Sequence, residues 1–155
     1  MQAEENPAEI YVRLTSDSPL IDAGDLDRMI QYFLDNGFRY VSGDGKNPLG
    51  VGGEVFTAEL LKEAMENSTE DYEHEHVTPY MYWKQDSIGR CPSLEDGSMY
   101  RITLDTPEDY EVICKVYEAL YEEGNKFTLA QILDYLKAHP EVVSINSMIH
   151  QKKVK

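Results

Sequence analysis

The sequence is poor in basic residues and in long hydrophobic runs. Its 155 residues include 14 Lys and Arg against 29 Asp and Glu, which gives a formal net charge of −15. Because proteins bind nucleic acids largely through basic side chains that neutralise phosphates, this balance argues against a nucleic-acid partner. No apolar run is long enough to cross a bilayer, so we expect no membrane partner.

Cysteine and targeting signals are also scarce. Cys91 and Cys114 are too few for a disulfide framework, and neither belongs to a CxxC pair. Residues 1–6 lack the basic region and apolar run of a signal peptide. These features predict a reducing, cytoplasmic environment. The length is typical of one α/β domain, which we place at residues 1–150, followed by a basic tail at residues 151–155.

The stretch from Arg101 to Tyr110 combines a strand pattern with a helix start. Residues 101–105 alternate as in a strand, and Thr106 and Pro107 are typical of the cap and first position of a helix. Asp105 is therefore expected at the carboxyl end of a strand, which is where ligands bind in α/β folds. The alternative is that Asp105 only helps to cap the helix.

A second aspartate has a similar setting near the start of the chain. Asp17 follows a predicted strand at residues 10–14 and precedes a predicted helix that ends at Asn36-Gly37, before another strand at residues 38–41. This order indicates a parallel, right-handed crossover. Asp17 and Asp105 could therefore meet over one cleft, where paired carboxylates bind Mg²⁺. The alternative is that they are unrelated loop residues.

Hydrophobic periodicity predicts further elements along the chain. We expect helices that begin near Thr57, Thr106 and Thr128, strands at residues 54–56, 78–83 and 87–91, and a terminal strand or extended segment at residues 142–145. The aromatic strand at residues 78–83 is expected in the core or at a dimer face. His74 and His76 lie two residues apart, but a zinc site needs further ligands and the sequence shows none.

Four motifs occur in a fixed order along the chain: Arg13-Leu-Thr-Ser-Asp-Ser-Pro-Leu-Ile-Asp22, Glu54-Val-Phe56, Glu75-His-Val-Thr-Pro-Tyr80 and Thr103-Leu-Asp-Thr-Pro-Glu-Asp-Tyr110. Together they resemble the cytidylyltransferase family of CMP-sugar-acid synthetases and spore-coat polysaccharide biosynthesis proteins. The resemblance extends from Ala8 to Asn146. It implies a GT-A-like nucleotidyltransferase fold, with a mixed sheet flanked by helices, that transfers CMP from CTP to a sugar and releases pyrophosphate.

The resemblance also implies a role for six residues. Asp17 and Asp105 match the two metal-binding aspartates of the family, so they would act in catalysis by holding Mg²⁺, which neutralises charge around the α-phosphate. Arg13 is expected to bind the cofactor. The residues expected to contact substrate are Glu54, His76 and Arg101.

The sequence departs from the family pattern in two places. We find no loop that would cradle the nucleotide phosphates, so we expect a fold that lacks its N-terminal phosphate-loop half; residues 43–46 are a predicted turn and do not replace it. The family segment Gly-Leu-Asp-Val-Glu-Val corresponds here to Gly50-Val-Gly-Gly-Glu-Val55, which has Gly52 in place of the acid.

These departures leave three functions open. The chain is an incomplete cytidylyltransferase of cell-surface polysaccharide biosynthesis, a non-catalytic remnant that serves as an oligomerisation or interaction module, or a simple binder of divalent cations. A missing half would expose a sheet edge and apolar surface. We therefore expect a homo-oligomer, or a second chain that supplies the missing half, with contacts at Ile10–Leu14 or Tyr80–Trp83. CTP and a sugar are the expected small-molecule partners.

Overall fold

A mixed sheet organises the part of the chain that the computed structural model describes, which comprises residues 7–83, 88–124 and 126–151. Its strands are β1 (Ile10–Arg13), β2 (Tyr40–Gly43), β3 (Glu54–Thr57) and β4 (Gly89–Cys91), in the order β1–β3–β2–β4. β3 is antiparallel to both of its neighbours, whereas β2 and β4 are parallel. The prediction of a mixed sheet is thus confirmed.

The first two strands differ from the predicted crossover in one respect. β1 and β2 do run in the same direction, because each is antiparallel to β3. They are not neighbours, however, since β3 lies between them. This order leaves β1 at an edge of the described sheet and brings the end of β1 beside the start of β3.

The sheet is accompanied by helices whose ends follow the local sequence. They are α1 (Ala23–Asn36), α2 (Ala58–Asn67), α3 (Asp71–His76), α4 (Pro79–Trp83), α5 (Pro107–Leu120), α6 (Leu129–Ala138) and α7 (Pro140–Ser144). At the start of four of them, the side chain of the cap residue accepts a hydrogen bond from a backbone N–H of the first helical turn. These cap residues are Asp22, Thr57, Thr106 and Thr128. Within the described parts of the chain, no helix has both the length and the apolar character that a bilayer crossing requires.

Neighbouring strand residues pack into different hydrophobic clusters. Tyr40 and Phe56 pack with residues of α2 and α4, whereas Val41 and Val55 pack with residues of α1. This is the alternation expected of strands with both faces covered. A third cluster joins α5, α6 and α7 to residues 100–102. The segment that leads to Asp105 is thus anchored in the helical part of the core.

Two of the predicted strands are helices in the structure. Residues 79–83 form α4 and residues 140–144 form α7, and each helix begins with a proline. Proline suits the first helical position because its ring fixes φ near the helical value and that N–H needs no partner. The aromatic and β-branched residues that indicated strands are therefore in short helices, where their apolar side chains can also pack against the core.

A third predicted strand, at residues 101–105, forms only one isolated parallel bridge, between Leu49 and Arg101. The predicted capping of the following helix is confirmed, because α5 begins at Pro107 with Thr106 as its cap. The strand predicted at residues 87–91 corresponds to β4, although residue 87 lies outside the described residues, as do residues 152–155 of the predicted basic tail.

Candidate functional site

Asp17 lies in a tight turn shortly after β1. The Ser18 N–H donates to the Thr15 carbonyl oxygen at 3.2 Å, and the hydroxyl oxygens of Thr15 and Ser18 are 2.9 Å apart. The Ser18 hydroxyl also donates to Asp17 Oδ1 over a long 3.4 Å. The Asp17 carboxylate is half-buried and makes no ion pair with the described residues, so most of its acceptor capacity is available to a ligand.

The Asp17 turn is hydrogen-bonded to the segment that precedes Asp105. The Leu104 N–H donates to the Asp17 carbonyl oxygen at 2.8 Å, and the Thr103 hydroxyl donates to the same oxygen at 3.1 Å. Because Leu104 is the direct neighbour of Asp105, the structure brings the two aspartates onto adjoining loops.

Asp105 is held from both its side chain and its backbone. Arg101 Nη2 donates to Asp105 Oδ2 at 2.7 Å, and the Asp105 N–H donates to Asp109 Oδ2 at 3.2 Å. The Arg101 side chain is only 10% exposed, whereas that of Asp105 is 36% exposed. Arg101, which the resemblance assigns to substrate, is therefore an internal partner of Asp105 in this structure.

Asp109 holds Arg101 and the backbone around Asp105 in place through its carboxylate. Its fully buried carboxylate accepts two hydrogen bonds from Arg101, through Nε and Nη2, each at 2.8 Å. The Asp109 carboxylate also accepts hydrogen bonds from Asn146 Nδ2 at 2.8 Å, from the Thr106 N–H at 3.1 Å and from the Asp105 N–H. Burial alone would raise the pKa of Asp109, but these donors outweigh it and hold the pKa well below its usual range.

Asp109 was not predicted as the centre of a network. The available signal was its spacing from Thr106, since the two form a reciprocal capping box at the start of α5. Glu or Gln usually occupies the second position of that motif. Asp109 has a shorter side chain than either of these residues.

Glu54 is a second polar centre, at the start of β3. Arg13 Nη1 donates to Glu54 Oε2 at 2.6 Å, and the Tyr40 hydroxyl donates to Oε1 at 2.5 Å. The Thr78 hydroxyl lies 3.0 and 3.1 Å from the two oxygens. Burial and the Glu54 charge raise the pKa of Tyr40, so its hydroxyl keeps its proton and remains a donor. Tyr40 and Thr78 were not predicted as site residues.

His76 is connected to this centre only through the backbone. Its carbonyl oxygen accepts the Thr78 N–H at 2.8 Å, and Thr78 in turn contacts Glu54. His74 and His76 are two positions apart on α3, where side chains point in different directions. Among the described residues, no group of three or more His, Cys, Asp or Glu is placed to hold a metal ion.

A cleft of about 200 Å³ opens beside the Arg13–Glu54 pair. It is lined by Arg13, Thr15, Ser18, residues 50–53 and Glu54. Gly50 has φ +95°, and a Cβ there would lie 2.4 Å from the Thr103 nitrogen, so only glycine allows this close approach. A Cβ on Gly52 would meet nothing within 4 Å, so this part of the wall is open.

The sequence profile of a family described as Cytidylyltransferase matches residues 1–132. This chain belongs to the cytidylyltransferase family. The prediction of family membership from the four motifs is therefore confirmed. The two acidic loops and the Arg13–Glu54 pair are thus features of a cytidylyltransferase-family chain.

Two curated proteins are similar to this chain over most of its length. The chain is 36% identical over 152 residues to the uncharacterized protein MJ1063 of Methanocaldococcus jannaschii, an alignment that covers 93% of this chain and 60% of that protein. It is 33% identical over 143 residues to the spore coat polysaccharide biosynthesis protein SpsF of Bacillus subtilis, which covers 87% of this chain and 58% of SpsF. The chain therefore spans less than two thirds of the length of these curated relatives.

A solved structure supports the fold. The cytidylyltransferase from Leptospira borgpetersenii superposes on this chain with a TM-score of 0.86 at 29% sequence identity. The match covers 97% of this chain and 64% of the Leptospira chain. The arrangement of sheet and helices described above is thus shared with a cytidylyltransferase.

Proposed function

We propose that this chain forms the metal-binding and sugar-binding part of a CTP-dependent cytidylyltransferase that makes an activated sugar. The observation that carries the proposal is the 2.8 Å hydrogen bond from Leu104 to Asp17, which joins the two acidic loops next to the cleft of Arg13 and Glu54. Similarity to SpsF, whose name refers to spore coat polysaccharide, supports a role in cell-surface polysaccharide synthesis.

The proposed reaction transfers CMP from CTP to a sugar hydroxyl. The hydroxyl oxygen forms a bond to the α-phosphorus, and the bond from that phosphorus to the oxygen that bridges it to the β-phosphate breaks. Pyrophosphate leaves with the electron pair of the broken bond, and the hydroxyl proton passes to solvent. Negative charge accumulates on the phosphate oxygens during this step, so the site must supply positive charge.

The residues present suit Mg²⁺ as the source of that charge. Mg²⁺ is usually bound by one or two carboxylates, with waters and substrate phosphates completing its octahedral shell. Asp17 and Asp105 provide two carboxylates on adjoining loops, and Asp17 has spare acceptor capacity. When bound, Mg²⁺ would neutralise the phosphate oxygens and orient them. Asp105 would offer the oxygen that does not bond to Arg101.

The cleft provides groups of the kind that recognise a sugar or an anionic substituent. Arg13 is a hydrogen-bond donor, and the hydroxyls of Thr15 and Ser18 can donate or accept. Glu54 holds Arg13 at one side of the cleft, because the two form an ion pair at 2.6 Å. We infer that Arg13 faces the ligand and that Glu54 fixes its position.

A second function is favoured by the ion pair between Arg101 and Asp105. This pair lies at 2.7 Å and already neutralises one of the two carboxylates, as it would in a chain whose acidic loops only stabilise the fold. In that case the chain would be a non-catalytic interaction module with an inherited cytidylyltransferase fold.

A titration of CTP in the presence of Mg²⁺, followed by NMR chemical shifts, distinguishes the two functions. The protein would be compared with Asp17→Asn and Asp105→Asn, and with Asp27→Asn as a control for an exposed aspartate on α1. We expect saturable, Mg²⁺-dependent shifts near residues 17 and 105 that both site variants lose and the control keeps. An absence of shifts at millimolar CTP would reject the catalytic proposal and favour the interaction module.

A further inference from the structure

The turn that carries Asp17 is held by two hydroxyl groups from distant parts of the chain. The Thr103 hydroxyl donates to the Asp17 carbonyl oxygen, and the Tyr117 hydroxyl donates to the Pro19 carbonyl oxygen, each at 3.1 Å. The two accepting carbonyl groups, those of Asp17 and Pro19, lie before and after Ser18 in the chain. The two hydrogen bonds therefore restrain the backbone of the turn on both sides of Ser18.

Thr103 has little freedom to move away from the turn. Its side chain is buried, and its backbone lies so close to Gly50 that a Cβ on that glycine would be 2.4 Å from the Thr103 nitrogen. Thr103 is also only two residues before Asp105. Its hydroxyl thus connects the Asp17 turn to the segment that fixes the other carboxylate.

Tyr117 provides a second fixed point on α5, the helix that begins directly after Asp105 and Thr106. Its ring packs edge-on against Phe127, with the ring centroids 5.3 Å apart. This packing sets the position of the phenolic oxygen. The Asp17 turn is thereby attached to the same helix whose first turn holds Asp105.

We propose that Thr103 and Tyr117 are positioning residues for Asp17. They fix the Asp17 turn against the segment and the helix that carry Asp105, and so set the spacing of the two carboxylates. This inference rests on the proposed function, because the spacing matters only if both carboxylates bind one cation. Mg²⁺ tolerates little departure from octahedral geometry, so a mobile Asp17 turn would bind it less tightly.

The test uses Mn²⁺ as a paramagnetic probe that broadens the NMR signals of nearby amides. Thr103→Val and Tyr117→Phe each remove one hydroxyl and keep the shape of the side chain. We expect each to weaken the Mn²⁺ affinity roughly two- to tenfold, the factor that corresponds to one hydrogen bond. Thr103→Ser keeps the hydroxyl and should retain the wild-type affinity.

Amide hydrogen exchange supplies a second readout that does not depend on the ion. Exchange of the Leu104 amide, which bonds to Asp17, should accelerate in Thr103→Val and remain slow in Thr103→Ser. Thermal unfolding would check that each variant is folded. Tyr117 is 38% exposed and keeps its ring in Tyr117→Phe, so this variant remains informative if Thr103→Val is unstable.

The possible outcomes separate the inference from the proposed function. Broadening near residues 17 and 105 with unchanged affinity in both hydroxyl variants would overturn the inference and leave the proposed function standing. No localised broadening in the wild type would overturn both. Unchanged Leu104 exchange in a folded Thr103→Val protein would by itself show that this hydroxyl does not hold the turn.

Discussion

Two arginine–carboxylate pairs border the site, and they differ in their access to solvent. In the pair of Arg101 and Asp109 the carboxylate is fully buried and accepts hydrogen bonds from side chains and backbone. In the pair of Arg13 and Glu54 the side chains are 31% and 18% exposed, and both line the cleft. The same chemical pair thus stabilises the fold in one region and remains available to a ligand in the other.

This difference has an energetic consequence. Removing one member of a buried ion pair leaves an uncompensated charge in a poorly solvated place, which costs far more than the pair contributes when intact. A pair at the rim of a cleft can recruit water instead. Substitutions in the buried pair are therefore expected to have the larger effects on stability.

The largest effect is expected from Asp109→Asn. The variant keeps the size of the side chain but leaves Arg101, whose side chain is only 10% exposed, without its main counter-ion, so we expect a loss of roughly 3–5 kcal/mol in the free energy of unfolding. Urea denaturation measures this loss. The matched control is Glu108→Gln, at an exposed position of the same helical turn, with an expected change of about 0.5 kcal/mol or less. Equal effects of the two variants would contradict the structural role of Asp109.

The pH dependence of that difference sharpens the comparison. The pKa of Asp109 is depressed in the folded state. The ionised carboxylate therefore stabilises the fold fully above the unfolded-state pKa of about 3.9, and this stabilisation is lost as the pH falls toward the folded-state pKa. The difference in unfolding free energy between the wild type and Asp109→Asn should therefore decrease by about 2 kcal/mol from pH 5 to pH 2. A gap that is constant or that widens in acid would show that the Asp109 charge is not the cause.

The contact between the two regions is tested at Gly50. Gly50→Ala places a methyl group against the backbone of Thr103, whereas Gly52→Ala places it in open space. Both glycines have positive φ, so both variants carry backbone strain, but only Gly50→Ala adds a clash with the Thr103 backbone. We expect Gly50→Ala to be less stable than Gly52→Ala by about 1–3 kcal/mol in urea denaturation. Equal stabilities would mean that the cleft wall and the Thr103 segment are not tightly packed.

A smaller effect is expected from Glu54→Gln. The amide still accepts hydrogen bonds from Tyr40 and Thr78, but the charge opposite Arg13 is lost. Because water reaches this pair, we expect a loss of about 1–2 kcal/mol in unfolding free energy. A loss as large as that of Asp109→Asn would contradict the distinction between the buried pair and this partly exposed pair.

Much of the fold follows from local sequence. Helices α1, α5 and α6 were predicted from apolar residues at helical spacing, together with the Thr106 cap of α5 and the Asn36-Gly37 end of α1, and these signals act within one or two turns. The predictions of extended structure at residues 78–83 and 142–145 were wrong, because segments this short do not separate the two periodicities. The proline that begins each of the two helices, Pro79 and Pro140, was the better guide.

The candidate site was only partly predictable. The motifs identified Asp17, Asp105, Arg13 and Glu54 one by one. Their pairing depends on the strand register, which sets Arg13 opposite Glu54 across 41 positions of the chain. The proximity of Asp17 to Asp105 depends on the hydrogen bond from the Leu104 N–H to the Asp17 carbonyl oxygen, which requires the sheet and the helical core to be in place. Such long-range contacts leave no local pattern, so Tyr40 and Thr78 were found only from the structure.

The smallest effect concerns the exposed edge of the sheet beside Arg13. β1 is an edge strand of the described sheet, and Val12 and Leu14 expose their side chains there. Edge strands with apolar side chains pair with other chains, so we expect sedimentation to show association that increases with protein concentration. Val12→Lys should weaken this association, since charge on an edge strand opposes pairing, whereas Leu34→Lys at an exposed position of α1 should not. A monomer at all concentrations would show that the open edge beside the cleft is protected by means other than self-association.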